Sequence, residues 1–176
     1  SSADNGATWT PVGPMGIVSS GGWNGGNGGP SSGRIEGIAA DTLNPNNLYV
    51  AAAGGGVWKS TDAGKTWRAL TDDQPTLVMG SIALATDSTT LYAGTGSPDF
   101  SGDAYAGQGI LKSTDAGQTW SLVGSSVFAG RSVGKIVIDP NNPRTVYAAV
   151  VQSSIYGVAG NTGVWKSTDG GTTWNN

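Results

Sequence analysis

The residues of this chain best suited to chemistry are its carboxylates, because the chain contains no histidine and no cysteine. Serine and cysteine mechanisms that need an imidazole base are therefore excluded, as are zinc and copper sites built on imidazole or sulfur. Glycoside hydrolysis needs two carboxyl groups, and two aspartate pairs qualify by proximity in sequence: Asp72 with Asp73, and Asp99 with Asp103. The pair Asp99 and Asp103 is also the candidate for a Ca²⁺ site, because Ca²⁺ binds oxygen ligands. No other metal site or cofactor is expected.

Four further aspartates belong to a motif, S-x-D-x-G-x-T-W, that occurs four times along the chain. The steps between its tryptophans are 67 − 9 = 58, 120 − 67 = 53 and 174 − 120 = 54 residues. The Asp, Gly and Trp positions of the motif are Asp4, Gly6, Trp9, Asp62, Gly64, Trp67, Asp115, Gly117, Trp120, Asp169, Gly171 and Trp174. The glycine allows a positive φ, the Asp, Ser and Thr side chains can bond turn amides, and the tryptophan is expected to pack against the next unit. Because every unit needs this turn, we interpret the motif as structural and not as catalytic.

Runs of β-branched and aromatic residues between turn formers predict four strands for each unit. The predicted strands lie at 34–40, 48–52, 57–60, 67–70, 80–85, 91–94, 110–113, 120–123, 133–138, 146–150 and 164–167, with an N-terminal strand at 9–12. Several of them are apolar at consecutive positions, which indicates strands that are covered on both faces. The sequence therefore predicts an all-β fold, a β-propeller segment of about three four-stranded blades.

The whole chain is expected to form one such segment, residues 1–176. It divides into an outer strand with the first motif at 1–12, blades at 34–70 and 79–123, and a blade at 131–176 that lacks its own last strand. Since propellers contain 4–8 blades, three cannot close a ring. The expected partner is either the remainder of a longer propeller chain or further copies of this one.

The motif resembles the Asp box of the BNR-repeat propellers, which include sialidases, the sortilin receptor domain, xyloglucanases and a photosystem assembly factor. The phrases at 55–62 and 163–169 are most similar to the sortilin and xyloglucanase repeats. The resemblance implies a propeller fold with the box at the blade periphery. It does not carry over a catalytic set, because the sialidase arginine triad is missing and Ala53 stands where a xyloglucanase-like Asp is expected.

Antiparallel strands put the connections of variable length on one face of the segment, at 13–33, 71–78, 95–108, 124–130 and 152–162. Variable loops on a repeated scaffold commonly carry function. The candidate ligand-binding residues there are Trp23, Asn24, Arg34, Asp99, Phe100, Asp103, Tyr105, Gln108, Arg131 and Tyr156. Aromatic rings beside Asp, Asn and Gln suit a sugar ligand. The alternative, which we favour, is that the aromatic rings fix the long loops to the scaffold.

Composition limits the other function classes. The net charge is −3 with no basic stretch, which argues against nucleic acid. No apolar run reaches the length of a membrane span, and the first residues lack the pattern of a signal peptide. Only 12% of the residues are charged, which is typical of extracellular or periplasmic proteins. We expect an extracellular, non-catalytic module that binds protein or glycan or serves in assembly; the alternative is a fragment of a xyloglucanase-like or sialidase-like hydrolase whose catalytic residues lie elsewhere.

Overall fold

The protein is nearly all β in its computed structural model. The structure describes residues 17–18, 30–31, 33–98, 105–153 and 158–176. The first two strands, β1 (Ile17–Val18) and β2 (Pro30–Ser31), form a short antiparallel pair. Three larger antiparallel sheets follow along the chain, and the described sheets do not close into a ring.

The first large sheet follows the first predicted set of strands. Its strands are β3 (Ile35–Ala40), β4 (Leu48–Ala52), β5 (Gly56–Ser60) and β6 (Arg68–Ala69), bonded in chain order. The turn from β3 to β4 begins at Asp41, whose Oδ1 accepts the Leu43 amide at 2.9 Å and whose Oδ2 accepts the Asn47 side-chain amide at 3.0 Å. These bonds satisfy N–H groups in the turn that have no partner in the neighbouring strands, which is why Asp is favoured there.

The second sheet repeats this arrangement. Its strands are β7 (Met79–Leu84), β8 (Leu91–Thr95), β9 (Ile110–Ser113) and β10 (Ser121–Val123). In both sheets each strand begins and ends within one residue of its predicted bounds. The period of the repeat and the turn residues were therefore sufficient to locate the strands.

A helical turn, α1 (Ser125–Phe128), lies between the second and third sheets, where the sequence predicted only a loop. Gly124 begins it with a φ of 66°, and Phe128 at its end is fully buried. The Phe128 ring packs edge-on against Trp165 and Trp174, with centroids 5.7 and 5.1 Å apart. A segment of four residues is too short to show a helical period in the sequence. The burial of one aromatic side chain, Phe128, fixes this turn in place.

The third sheet contains β11 (Arg131–Asp139), β12 (Asn142–Gln152) and β13 (Gly163–Ser167). Strand β12 begins four residues before its predicted start because β11 and β12 stay paired up to Asp139 and Asn142. A single bridge between Lys166 and Asn175 lies at the fourth strand position.

The three described box turns share one hydrogen-bond pattern. In the second sheet, Ser113 Oγ donates to Asp115 Oδ1 at 2.8 Å and accepts the Gly117 amide at 2.9 Å. The Asp115 carboxylate also accepts the Thr119 amide at 2.9 Å and the Thr119 hydroxyl at 2.6 Å. The boxes of the first and third sheets repeat these four bonds. The aspartate is thus fully used in holding the turn.

The box tryptophans pack against the preceding sheet, and the expectation that they pack against the next one was wrong. Trp120 contacts the core cluster between the first and second sheets, and Trp174 belongs to the cluster between the second and third. The Nε1 groups of Trp67 and Trp174 donate to the box-glycine carbonyls at 3.0 Å. This bond holds the ring over its own hairpin, whereas Trp120 packs against the preceding sheet with no partner for its Nε1 among the described residues.

In the first and second sheets, a tyrosine and a lysine on neighbouring strands bond the box turn of the next sheet. Tyr92 and Lys112 are directly opposite in β8 and β9, and the Lys112 Nζ lies 5.5 Å from the Tyr92 ring centroid. Both side chains donate to the Gly170 carbonyl, at 3.2 Å from the tyrosine Oη and 2.7 Å from the lysine Nζ. Tyr49 and Lys59 of the first sheet donate in the same way to Ala116, at 3.4 and 3.5 Å. The three sheets are therefore joined through one main-chain carbonyl in the box of the second sheet and one in the box of the third.

The close contact between the second and third sheets also requires glycine at one strand position. A Cβ on Gly94 would lie 2.5 Å from the Val133 carbonyl oxygen and 2.4 Å from Ser81 Oγ. The Ser81 hydroxyl donates to that same carbonyl at 2.8 Å. Since backbone oxygen cannot move away cheaply, glycine at this point sets how closely the second and third sheets approach.

The box carboxylates predict a loss of stability in acid. Hydrogen bonds from Thr66 and Thr119, with further bonds from the box serines, lower the pKa values of Asp62 and Asp115 from 3.8 to about 2. A lowered folded-state pKa stabilises the fold above pH 3.8, and that contribution disappears as the pH falls through about 2. We expect the melting temperature to fall over this interval, and Asp115→Asn to reduce the slope. Asp72→Asn, in an exposed loop, is the control, and an unchanged slope in Asp115→Asn would contradict the assignment.

The tyrosine hydroxyls offer a second test of the fold. Burial, with the charges of Asp87 and Asp169, raises the pKa of Tyr92 to about 12, so its hydroxyl keeps the proton that it donates. Tyr92→Phe should lower the free energy of unfolding by about 1 kcal/mol. In a chain of this size that corresponds to roughly 2–4 °C in melting temperature. Tyr147→Phe, at the equivalent but exposed position, should change neither quantity in dilute solution.

Candidate functional site

The variable loops meet on one face, as predicted from the antiparallel strand order. The Gly107 amide donates to the Arg131 carbonyl at 2.8 Å, and the Gly130 amide to the Gly107 carbonyl at 2.9 Å. The Val158 amide then donates to the Gly130 carbonyl at 3.0 Å. Three connections from two sheets are thereby held together at one edge, which we call the loop face: the described parts of 71–78, 95–109, 124–130 and 152–162.

The box turns lie at the opposite edge, away from the loop face. The amides at the fourth box position, in Ala63, Ala116 and Gly170, donate to carbonyls at or just after the connection between the first two strands of their own sheets, at 2.8–3.0 Å. The carboxylates whose pKa values are lowered all lie at this edge: Asp41, Asp62, Asp87, Asp115 and Asp169. A glycosidase general acid needs a raised pKa, so these groups are unsuited to that role.

Arg131 is buried on the loop face and bonds to the protein itself. Its Nε donates to the Gly160 carbonyl and its Nη2 to the Ala159 carbonyl at 3.0 Å. Its Nη1 donates to the Val127 and Ala129 carbonyls, both at 3.1 Å. Four of the five N–H groups of a guanidinium are thus occupied. The predicted ligand contact stays a prediction, with one N–H left for it.

Tyr105 and Gln108 stand in the second long loop. Tyr105 is 57% exposed, and its carbonyl accepts the Ser97 amide at 2.9 Å. The Gln108 side-chain amide donates to the Pro75 carbonyl at 3.3 Å, which ties this loop to the preceding one. An exposed ring beside an amide is a suitable arrangement for a sugar, because the ring can stack while the amide bonds hydroxyls.

Arg34 forms an ion pair with Glu36 at the start of the first sheet. The Arg34 carbonyl accepts the Ala53 amide at 2.9 Å, which brings Ala53, where a xyloglucanase-like catalytic Asp is expected, next to this pair. Glu36 is the single glutamate of the sequence. The Glu36 side chain is 16% exposed, and its contact with Arg34 lies at the strand end from which the long connections leave.

Six candidate residues lie outside the described residues: Trp23, Asn24, Asp99, Phe100, Asp103 and Tyr156. The box residues Asp4, Gly6 and Trp9 also lie outside them. The Ca²⁺ site at Asp99 and Asp103 therefore stays a prediction. Within the described ranges, no group of three or more acidic residues is placed to hold a metal ion. The described Asp72 and Asp73 are exposed neighbours in the 71–78 loop.

Sequence reasoning missed two hydroxyl residues at the base of the loop face. Thr95 Oγ1 donates to the Gly109 carbonyl at 2.7 Å and accepts the Gln108 amide at 2.8 Å, which fixes where the Gln108 loop returns to the sheet. Ser153 is 1% exposed, and its Oγ has no hydrogen-bond partner among the described residues. Neither residue belongs to a repeated motif, so no signal in one sequence points to it.

A family model described as the BNR/Asp-box repeat matches residues 111–122, which cover most of strand β9, the second described box and the start of β10. The match coincides with the turn whose hydrogen bonds recur in all three sheets. The chain therefore contains the Asp-box, or BNR, repeat of β-propellers. The three large sheets are its blades.

This Asp-box propeller is similar to several xyloglucanases. It is 32% identical over 159 residues to a xyloglucanase of a Paenibacillus species, covering 83% of this chain and 14% of that protein. It is 30% identical over 160 residues to a xyloglucanase of Acetivibrio thermocellus, covering 83% of this chain and 18% of the relative. The chain thus spans less than a fifth of the length of these relatives.

A solved structure shows the same arrangement of blades. The crystal structure of a Niastella koreensis GH74 enzyme superposes with a TM-score of 0.60 at 30% identity, over 80% of this chain and 22% of that one. No helix among the described residues is long and apolar enough to cross a membrane.

Replacing Arg131 should loosen the loop face of this propeller. We expect Arg131→Met to cost about 2 kcal/mol of stability, since hydrogen bonds to a charged donor are lost from four carbonyls. Hydrogen exchange should accelerate at the Val158 amide, whose acceptor lies in the loop that Arg131 holds. Arg68→Met, at an exposed strand position, is the matched control. Equal exchange at Val158 in both variants would show that Arg131 does not hold the loops.

Proposed function

We propose that this chain is part of a propeller glycoside hydrolase that acts on xyloglucan. Its three blades would form part of the substrate-binding face, and the catalytic carboxylates would lie outside these 176 residues. The observation that carries the proposal is the similarity to xyloglucanases over 83% of the chain at 30–32% identity. The short share of those relatives that is covered leaves room for the rest of a catalytic site.

The loop face supports the role in binding. Tyr105 offers an exposed ring, and the amide of Gln108 and the Arg34–Glu36 pair offer polar groups along the same face. Most of the other carboxylates of the described part stand at the opposite edge in turns. This distribution supports a segment that contacts polysaccharide without hydrolysing it. Because a polysaccharide is met outside the cell, the proposal includes an extracellular location.

A non-catalytic glycan-binding module is the second candidate. It is favoured by Ala53, since a side chain without ionisable groups stands at the position where a xyloglucanase-like carboxylate is expected. The two candidates differ in whether the rest of the longer protein supplies catalytic carboxylates. A test of the isolated segment alone therefore does not separate them.

The test measures binding and hydrolysis separately. Calorimetry with xyloglucan oligosaccharides should show binding to the 176-residue chain, and reducing ends should be released only by the longer protein that contains it. Tyr105→Ala should weaken binding about three- to tenfold, which is the range of one aromatic contact. Leu43→Ala, exposed at the opposite edge, should leave the affinity unchanged.

Two results would decide against the proposal. Binding without release of reducing ends by the longer protein would establish the non-catalytic module. No binding of xyloglucan by either protein would remove xyloglucan as the ligand.

A further inference from the structure

A cleft opens between the second and third blades at the box edge, opposite the loop face. Its volume is about 360 Å³, which lies at the lower end of the range for small-molecule sites. The polar and apolar groups that matter for a ligand come from both blades: Lys112, Thr114, Pro143, Arg144, Asp169 and Gly170. The two blades already contact each other within this chain, so the cleft does not depend on what adjoins the first or the third blade.

Two cations line this cleft. The partly buried Lys112 donates from Nζ to the Gly170 carbonyl at 2.7 Å, which leaves two of its three N–H groups for other acceptors. The exposed Arg144 side chain makes no hydrogen bond or ion pair with the described residues. Burial lowers the pKa of Lys112, and the charge of Arg144 lowers it further, while Asp169 acts in the opposite direction. An anion bound between the two cations would relieve this repulsion.

The carboxylate in the lining of the cleft is already used by its own box. Asp169 Oδ1 accepts the Ser167 hydroxyl at 2.8 Å and the Thr173 amide at 2.9 Å, and Oδ2 accepts the Thr173 hydroxyl at 2.7 Å. Neither oxygen forms an ion pair with Lys112 or Arg144. Two positive charges and one negative charge leave the lining with a net charge of +1. A ligand with a single negative charge would therefore neutralise the cleft.

The fold itself does not require a cation at position 144. The Gly170 amide donates to the Arg144 carbonyl at 2.8 Å, as the Ala116 amide donates to the Thr89 carbonyl at 2.9 Å. Thr89 is thus the counterpart of Arg144 in the second blade, and it carries no charge. The repeated contact uses only the main chain, so the guanidinium of Arg144 is available for a ligand.

We propose that this cleft binds a hexuronate, whose carboxylate is held by Arg144 and Lys112. Two parallel N–H groups of a guanidinium fit both oxygens of a carboxylate, and the ammonium group adds a further donor. A carboxylate carries one negative charge, which matches the net charge of the cleft, whereas a phosphate dianion would exceed it. This inference does not depend on the proposed xyloglucan activity, because the cleft lies at the edge opposite the loop face.

The rest of the lining suits a sugar ring. Thr114 is exposed, and its hydroxyl makes no hydrogen bond within the described part of the chain, so it can bond a ring hydroxyl. Pro143 supplies apolar surface against which the C–H groups of a sugar can pack. A cleft of about 360 Å³ has room for one sugar residue. The ligand class is therefore an acidic sugar residue and not a bare inorganic anion.

The test compares two sugars that differ in the carboxylate. NMR titration of the chain with D-galacturonate should shift the backbone amides of Arg144 and Gly170. D-galactose, which has an alcohol in place of the carboxylate, should bind at least tenfold more weakly, because the hydrogen bonds to a charged acceptor are lost. Inorganic phosphate, titrated in the same way, should also bind more weakly than D-galacturonate.

Arg144→Met should weaken the binding of D-galacturonate at least tenfold. Arg144→Lys should retain more affinity than Arg144→Met, because the charge stays while the two parallel donors are lost. Since the Arg144 side chain bonds none of the described residues, both variants should keep the melting temperature of the unchanged chain. Lys65→Met, which removes the same charge from an exposed residue of the first box, is the control and should bind normally.

Three outcomes would overturn the proposal. The first is equal affinity for D-galacturonate and D-galactose, which includes binding of neither. The second is equal affinity of Arg144→Met and Lys65→Met for D-galacturonate, which would place the bound sugar elsewhere. The third is tighter binding of inorganic phosphate than of D-galacturonate, which would make the cleft a phosphate site.

Discussion

Two main-chain carbonyls, those of Ala116 and Gly170 in the box turns of the second and third blades, determine how this segment holds together. The tyrosine and lysine of one blade donate to each of them, while the amide of the same residue bonds the turn of its own blade. Each joint therefore fixes a turn to two sheets at once. The clusters that bury Tyr49 and Tyr92 lie directly beneath these joints, so burial of apolar surface and placement of the polar bond occur together.

The box sequence is what puts that carbonyl in place. Two consecutive residues of every described box have positive φ: Ala63 and Gly64 at 59° and 89°, Ala116 and Gly117 at 59° and 86°, and Gly170 and Gly171 at 75° and 91°. An alanine in this region costs roughly 1–2 kcal/mol. The four bonds from serine, aspartate and threonine offset that cost and hold the turn in the strained conformation. The aspartate is thus a constraint on backbone shape, and its lowered pKa is a consequence of that task.

Much of the fold could be predicted from the sequence because the copies of the repeat can be compared with one another within one chain. The three near-constant steps between four copies of one motif give the number of large sheets, and turn residues give the strand bounds. The direction in which Trp120 and Trp174 pack could not be read this way, because it depends on where the preceding sheet lies. The turn at Ser125–Phe128 and the pinning role of Arg131 depend on single residues in loops that do not repeat. For the same reason the loop face, where ligand contacts are proposed, was predicted in position but not in detail.

Because the joint uses a backbone acceptor, the residue that supplies it is free to vary. Alanine provides it in the second blade and glycine in the third, with the same two donors opposite. A duplicated segment of 53 or 54 residues would bring a complete joint with it and would need no compensating change in its neighbours. Such a unit is well suited to evolution by gene duplication. It is also well suited to protein engineering, since blades exchanged at the box between proteins with this repeat should dock without redesign of the interface.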